Sequence, residues 1–173
     1  MNTKKYIEAT LLDLLRNKSI DKIKVNEVIR VVGTCKGTFY KYYRDKYELL
    51  ISCFRNNYYN ELVEKSEGWE DFVLNCLSTF EKVSSIVVNA FDSHDINSVR
   101  YYHEKLIIEY LDAEIKKYGE PTKLDDFTIK VCAVAYTDIM LKWLNGSLNE
   151  SKEQIISYMK AVMPQAIYPK IHS

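Results

Sequence analysis

Apolar residues recur along this chain at three- and four-residue intervals, the period of a helix buried on one side. The spacing predicts helices over 4–17, 25–32, 36–42, 46–65, 69–91, 96–118, 124–145 and 151–166. Gly33, Gly68, Gly119 and Gly146 punctuate these stretches, and Pro121 and Pro164 fall near their ends. Asn145-Gly146 closes a helical pattern rather than joining two alternating runs, so it predicts a helix stop and not a hairpin. Ser151 with Gln154 three residues on makes a capping box for the last helix. No internal repeat or low-complexity run interrupts the pattern. It predicts an all-α protein, a three-helix head followed by an antiparallel helical bundle.

The segment Lys24–Lys46 is the most specific part of the chain. Val25, Val28, Ile29 and Val32 fall at i, i+3, i+4 and i+7, one face of a short helix. Gly33 follows, where a left-handed residue ends many helices. A second short helix then carries Phe39 and Tyr43, four apart on its buried side. Lys36, Thr38, Tyr40 and Lys41 lie off that side, and Tyr42 near its edge. Two short helices on a tight turn make a helix-turn-helix, whose second helix enters the DNA major groove. Cations, a hydroxyl and phenols are the groups that contact phosphates and base edges. Asp45 is placed to cap the next helix, and Lys46 sits in its first turn. A cation there opposes the helix dipole, so a nearby anion is expected, and a DNA phosphate would supply one.

Gly33-Thr34-Cys35-Lys36-Gly37-Thr38-Phe39-Tyr40-Lys41-Tyr42-Tyr43 followed by Asp45-Lys46-Tyr47-Glu48-Leu49-Leu50 resembles the DNA-binding signature of the tetracycline-repressor (TetR-type) family. The motif covers roughly residues 5 to 50 and is far more specific than a lone glycine-rich triplet. The resemblance implies a homodimeric, all-helical, ligand-responsive transcriptional regulator. It implies that Tyr40, Tyr42 and Lys46 grip backbone phosphates, and that Asn26, Lys36, Gly37, Thr38 and Lys41 face base edges. Further on, Trp143-Leu144-Asn145-Gly146 with Ser151-Lys152-Glu153-Gln154 looks like the end of one C-terminal domain type among these regulators. The chain also departs from the family pattern. Lys24 stands where a capping Thr is usual, and Ile29, Val31 and Val32 stand where small alanines are common. Thr34-Cys35 replaces a Val-Ser pair, and cysteine caps a helix less well than serine.

Charge divides the chain in the same place. Residues 1–50 hold 11 Lys+Arg against 6 Asp+Glu, and residues 51–173 hold 13 against 18, so a formally neutral protein is a basic head on an acidic body. The head should be drawn to phosphates by a salt-sensitive, sequence-independent attraction, and the body should stay clear of them. The expected division is a DNA-binding domain over 1–46 and a ligand-binding and dimerisation domain over 47–173. The helix at 46–65 would belong to both.

One head covers too little DNA for tight, specific binding, so double-stranded DNA and a second copy of the chain are the expected partners. The resemblance implies a four-helix interface from the last two helices of each subunit. Ile139, Met140, Trp143, Ile155, Tyr158, Met159 and Val162 are spaced to present apolar stripes there. The body is rich in aromatics, 14 Tyr and 6 Phe in the whole chain, which suits a small-molecule effector site of unknown identity. Tyr59, His103, Tyr110 and Tyr136 are its candidate residues.

Other chemistry is thinly represented. Cys35, Cys53, Cys76 and Cys132 form no CxxC pair, and His94, His103 and His172 have no metal-ligand spacing, so neither cofactor nor metal is expected. No nucleophile elbow, phosphate loop or catalytic constellation is present, which argues against an enzyme. Asp125-Asp126 reads as a pair of helix-start carboxylates. Cys35 opens the recognition helix, where a thiol is acidified, and its oxidation would hinder DNA entry. No apolar run reaches the ~18 residues of a membrane span, and the N-terminus has no apolar signal core. A cytoplasmic protein without membrane partners is expected. The rival within the DNA-binding class is an architectural or nucleoid factor with no small-molecule ligand.

Overall fold

A computed structural model describes residues 3–117 and 119–163. Every regular element among them is helical. The order is α1 (Thr3–Leu15), a single 3-10 turn (Ile20–Lys22), α2 (Val25–Val32), α3 (Lys36–Tyr42), α4 (Lys46–Phe54), a π turn (Arg55–Tyr59), α5 (Asn60–Lys65), α6 (Trp69–Glu81), α7 (Ser84–Phe91), α8 (Val99–Lys116), α9 (Lys123–Leu144) and α10 (Lys152–Val162). The all-α expectation holds. The last expected helix is found as α10, and its expected extension over 164–166 lies outside the described residues.

Two expected helices are interrupted. The stretch 69–91 breaks at Val83 (φ −132°, ψ 33°) into α6 and α7. A β-branched residue followed by Ser84 and Ser85 is weak helix-interior sequence. The stretch 46–65 widens into a π turn, where the N–H of Asn60 donates to the Arg55 carbonyl five residues back. The Asn57 side-chain amide donates back to the Cys53 carbonyl of α4 at 2.7 Å. An asparagine side chain that takes a backbone carbonyl explains why the ladder slips here. The expected start of α8 moves from 96 to 99, because Asp95 accepts from the Asn97 N–H at 2.8 Å and turns the chain first.

The caps follow elementary helix chemistry. Asp45 Oδ1 accepts from the N–H groups of Tyr47 and Glu48, both at 2.8 Å. Capping boxes open α9 (Thr122 with Asp125) and α10 (Ser151 with Gln154). Asp125 thus does more than complement a dipole, since its Oδ2 accepts from the Thr122 N–H at 2.7 Å.

The chain forms two compact units. Among the described residues the first comprises 3–60 and 83–102, the second 61–82, 103–117 and 119–163. This division differs from a boundary at 46/47, because α4 and α7 share the core of the head. In the first unit Ile7, Leu11 and Leu15 of α1 are fully buried with Leu49, Leu50 and Phe54 of α4 and Val87 of α7. The rings of Phe54 and Phe91 meet edge to face at 5.8 Å. α7 and the residue after it also hydrogen-bond the α1 end of the head. Asn89 Nδ2 donates to the terminal Leu15 carbonyl of α1 at 2.8 Å, and the Asp92 carbonyl accepts from Ser19 Oγ at 3.1 Å. In the second unit α6 packs against α9 and α10. Lys152 pairs with Glu81 at 2.8 Å and Lys160 with Glu70 at 2.5 Å. Trp69 and Tyr136 meet at 5.1 Å between ring centres.

Asn89→Ala leaves the Leu15 carbonyl without that donor and is expected to cost about 1 kcal/mol of stability, on the scale of one lost hydrogen bond. Urea unfolding checks it, with an unchanged m-value marking a loss of stability rather than of compactness.

Candidate nucleic-acid interface

The helix-turn-helix begins with α2, whose N-cap Lys24 makes no side-chain cap bond, as the missing threonine predicts. Gly33 ends it in the left-handed region (φ +71°, ψ 34°). The Gly33 N–H donates to the Arg30 carbonyl and the Thr34 N–H to the Ile29 carbonyl, at 3.2 and 3.1 Å. This is the doubly bonded Schellman stop. An added Cβ at Gly33 would meet nothing within 4 Å, so the glycine is there for its φ alone.

α3 restarts after the extended residue Cys35, which makes no side-chain cap bond to the backbone. Its seat is aromatic. Phe39 is fully buried and Tyr43 nearly so, their ring centres 6.0 Å apart. Opposite them Lys36, Gly37, Tyr40, Lys41 and Tyr42 are exposed, Thr38 is half-buried, and Asn26 is exposed on α2. Tyr40 is 54% accessible, so its phenol is not a core group. At Gly37 an added Cβ would meet only Cys35 Sγ, at 3.9 Å, which is ordinary contact. The fold itself therefore has room for a side chain at 37.

Lys46 departs from its expected setting. Its ammonium donates to the carbonyls of Ile20, Asp21 and Ile23 at 2.8, 3.3 and 3.2 Å, where it closes the 3-10 turn. These carbonyls meet the electrostatic need that was expected to call for a phosphate. Beside it the Tyr47 phenol donates to Asp21 Oδ1 at 3.1 Å. Arg44, at the end of the α3–α4 link, is held by Glu48, which accepts from its backbone N–H at 2.6 Å and its Nε at 3.2 Å.

The principal residue that the sequence pattern missed is Glu8 of α1, only 7% exposed. One of its oxygens accepts from Tyr43 Oη at 2.7 Å, Ser52 Oγ at 2.8 Å and Asn56 Nδ2 at 3.2 Å. Burial, then the carboxylate, push the Tyr43 phenol well above the usual tyrosine range, so it stays a donor. The signal was present in the sequence, since Glu8, Leu11 and Leu15 share a stripe and a carboxylate on an apolar stripe needs donors.

Cys35 is exposed, and its thiol is held below the usual range, mainly by the Thr38 hydroxyl 3.2 Å away and then by backbone N–H groups at the start of α3. Burial pushes Cys53, Cys76 and Cys132 the other way. No group of three or more His, Cys, Asp or Glu among the described residues could hold a metal.

The expected effector residues do not all come together. Tyr59 lies in the first unit, its ring 5.6 Å from Tyr102. His103 and Tyr136 line a small cavity of the second unit, with Trp69, Phe72, Cys76 and Met159. Tyr110 stands behind this wall, stacked on Phe72 at 4.5 Å. Burial pushes His103 down to about 3, so it is neutral at ordinary pH, and Tyr110 up to about 12. The cavity offers about 20 Å³, room for a single water-sized body.

The expected dimer residues also divide. Ile155 and Met159, with Met140, are buried in their own unit. Ile139 and Trp143 are partly covered, and Trp143 Nε1 donates to the Glu150 carbonyl at 2.8 Å. Val162 is 73% exposed and Tyr158 is exposed beside it on α10. On α9 the exposed apolar residues are Leu124, Phe127, Val131 and Val134, a helical stripe that sequence spacing did not single out.

A family described as "Transcriptional regulator C-terminal region" matches residues 67–165. No curated protein matches the chain. Among solved structures the chain is similar to "Dihydroxyacetone kinase operon activator DhaS", with 20% identity over 96% of each chain and a TM-score of 0.62. It is similar to the fatty acid degradation regulator FadR from Bacillus halodurans, with 15% identity over 94% of this chain and 95% of that one, TM-score 0.61. It is also similar to a TetR transcriptional regulator from Rhodococcus sp. RHA1, with 13% identity, coverage of 93% and 94%, and a TM-score of 0.60.

Two outcomes check this geometry. Lys46→Ala should lower stability by about 1–2 kcal/mol, because three carbonyls lose a charged donor, whereas Lys41→Ala should stay within about 0.5 kcal/mol; chemical unfolding separates them. His103 binds its proton less readily in the folded than in the unfolded state, so its contribution is full above the unfolded pKa and falls as pH drops below it. Between about pH 7.5 and 5 the wild type should lose on the order of 2 kcal/mol more than His103→Gln, as measured by unfolding at each pH.

Proposed function

The chain belongs to the TetR family of transcriptional regulators, and on that premise we propose that it is a ligand-responsive repressor, acting as a homodimer on a near-palindromic operator. The observation that carries the reading is α3 itself. It is a short helix seated by Phe39 and Tyr43, turning Lys36, Gly37, Tyr40, Lys41 and Tyr42 outward. In this reading Asn26, Lys36, Gly37, Thr38 and Lys41 meet base edges, with Gly37 letting the backbone approach closely. Tyr40, Tyr42 and Lys46 meet phosphates. Lys46 would do so by giving up one of the three carbonyls that its ammonium contacts.

The dimer would form through α9 and α10. Leu124, Phe127, Val131 and Val134 leave an exposed apolar stripe along α9, and Tyr158 and Val162 are exposed on α10. Two heads then read two half-sites, and the two-fold protein matches a two-fold operator. The effector would enter the second unit beside His103 and Tyr136, where the lining is neutral and apolar. Its leverage on DNA is limited to its differential affinity for the two states. The small size of the cavity favours a second reading, a DNA-binding factor that answers to no small molecule.

Selection of bound duplexes from a randomised pool tests the DNA reading. An inverted repeat should be enriched, and binding to it should weaken with salt. An unenriched pool would refute the regulator assignment. Phe127→Asp should turn the dimer into a monomer in sedimentation and weaken operator binding by about tenfold or more, since a charge in an apolar interface must be desolvated.

A further inference from the structure

Three donors from three parts of the chain converge on one oxygen of Glu8. Tyr43 follows directly on α3 and ends it, its N–H donating to the Phe39 carbonyl at 3.1 Å. Ser52 belongs to α4, and Asn56 to the π turn that follows. The Asn56 amide also reaches Ser52 Oγ at 3.4 Å, so turn, helix and carboxylate form one connected group. Cys53 adds a fourth tie, its thiol donating to the Glu8 carbonyl at 3.6 Å.

The chemistry suits a junction. An ionised carboxylate is an acceptor only, so several donors can share it without conflict. The Tyr43 bond is buried, where water does not substitute for a lost partner, while the Ser52 and Asn56 bonds lie toward the surface. The two asparagines of the π turn have separate tasks. Asn57 holds the Cys53 carbonyl within its own helix, and Asn56 reaches across to α1. π turns are rare and collect at functional sites, and the chain leaves the first unit immediately after this one, at Asn60.

We propose that Glu8 is the positioning residue of the recognition helix: its carboxylate joins Tyr43 at the end of α3 to Asn56 in the π turn, so that the seat of α3, and with it DNA affinity, follows the state of that turn. The consequence for DNA rests on the regulator reading above; the coupling between turn and helix does not.

The test uses the full chain. Asn56→Ala removes one exposed amide and leaves the core intact, and Tyr43→Phe keeps the ring and removes one hydroxyl. Hydrogen exchange is read over residues 36–43, with α7 as internal reference, in the absence of DNA. Each variant should speed exchange over 36–43 about threefold or more and leave 84–91 unchanged. The double variant should fall short of the product of the two effects, since both act through one oxygen. On the duplex recovered by selection, each should weaken binding about fivefold, the scale of one hydrogen bond. Unchanged exchange over 36–43 in Asn56→Ala would overturn the proposal. So would an equal rise over 84–91, or a strictly multiplicative double variant. If exchange responds as expected but no duplex is enriched, the positioning role stands and the regulator reading fails.

Discussion

A helix of seven residues does not hold itself together in water, because nucleation costs more than so few hydrogen bonds return. α3 has seven, and its N-cap is a cysteine that gives the backbone no side-chain bond. Its conformation is therefore supplied from outside. Phe39 and Tyr43 anchor it in the core, Gly33 aims it by a left-handed turn, and Asp45 restarts the chain beyond it. The outward face is then largely free of core duties, although the Tyr40 ring still rests edge-on against Phe39 at 5.4 Å. The exposure of Tyr40 and the vacant room at Gly37 show that freedom directly.

How much of this was legible in the sequence depends on the range of the forces involved. Gly33, Asp45 and the Ser151–Gln154 box act within four residues, and their patterns predict what is found. The ends of α2 and α3 are equally local. What pattern could not reach is non-local or competitive. Helix-like sequence runs through 46–65 and 69–91 on both sides of the π turn and of the break at Val83, so pattern alone shows neither interruption. Lys46 looked like a free cation, since its three carbonyl partners lie more than twenty residues away. Glu8 is linked to Tyr43 across 35 residues and to Asn56 across 48. Stripes at the end of α9 and on α10 were anticipated, the exposed stripe at the start of α9 was not, and period alone does not say which stripe faces inward. Ile155 and Met159 went to the core, and Phe127 and Val131 to the surface.

The second unit has a different character from the head. Its interior is built from large rings and sulfur side chains around a histidine whose burial suppresses its charge. Met140 and Met159 are adaptable fillers, and the stacked Phe72–Tyr110 pair gives one wall a flat surface. Such an interior accepts a new shape at modest cost more readily than it accepts a new charge.

The head is not a continuous stretch of chain. Residues 83–102 complete a unit begun by residues 3–60, and Asn89 of α7 serves the last carbonyl of α1. Heads and bodies of this architecture are therefore not interchangeable cassettes with a seam behind the recognition helix. A chimaera joined there would inherit a reader without the helix that closes its first turn of core. Any exchange that preserves the head must carry two segments, and recombination through one crossover cannot deliver both.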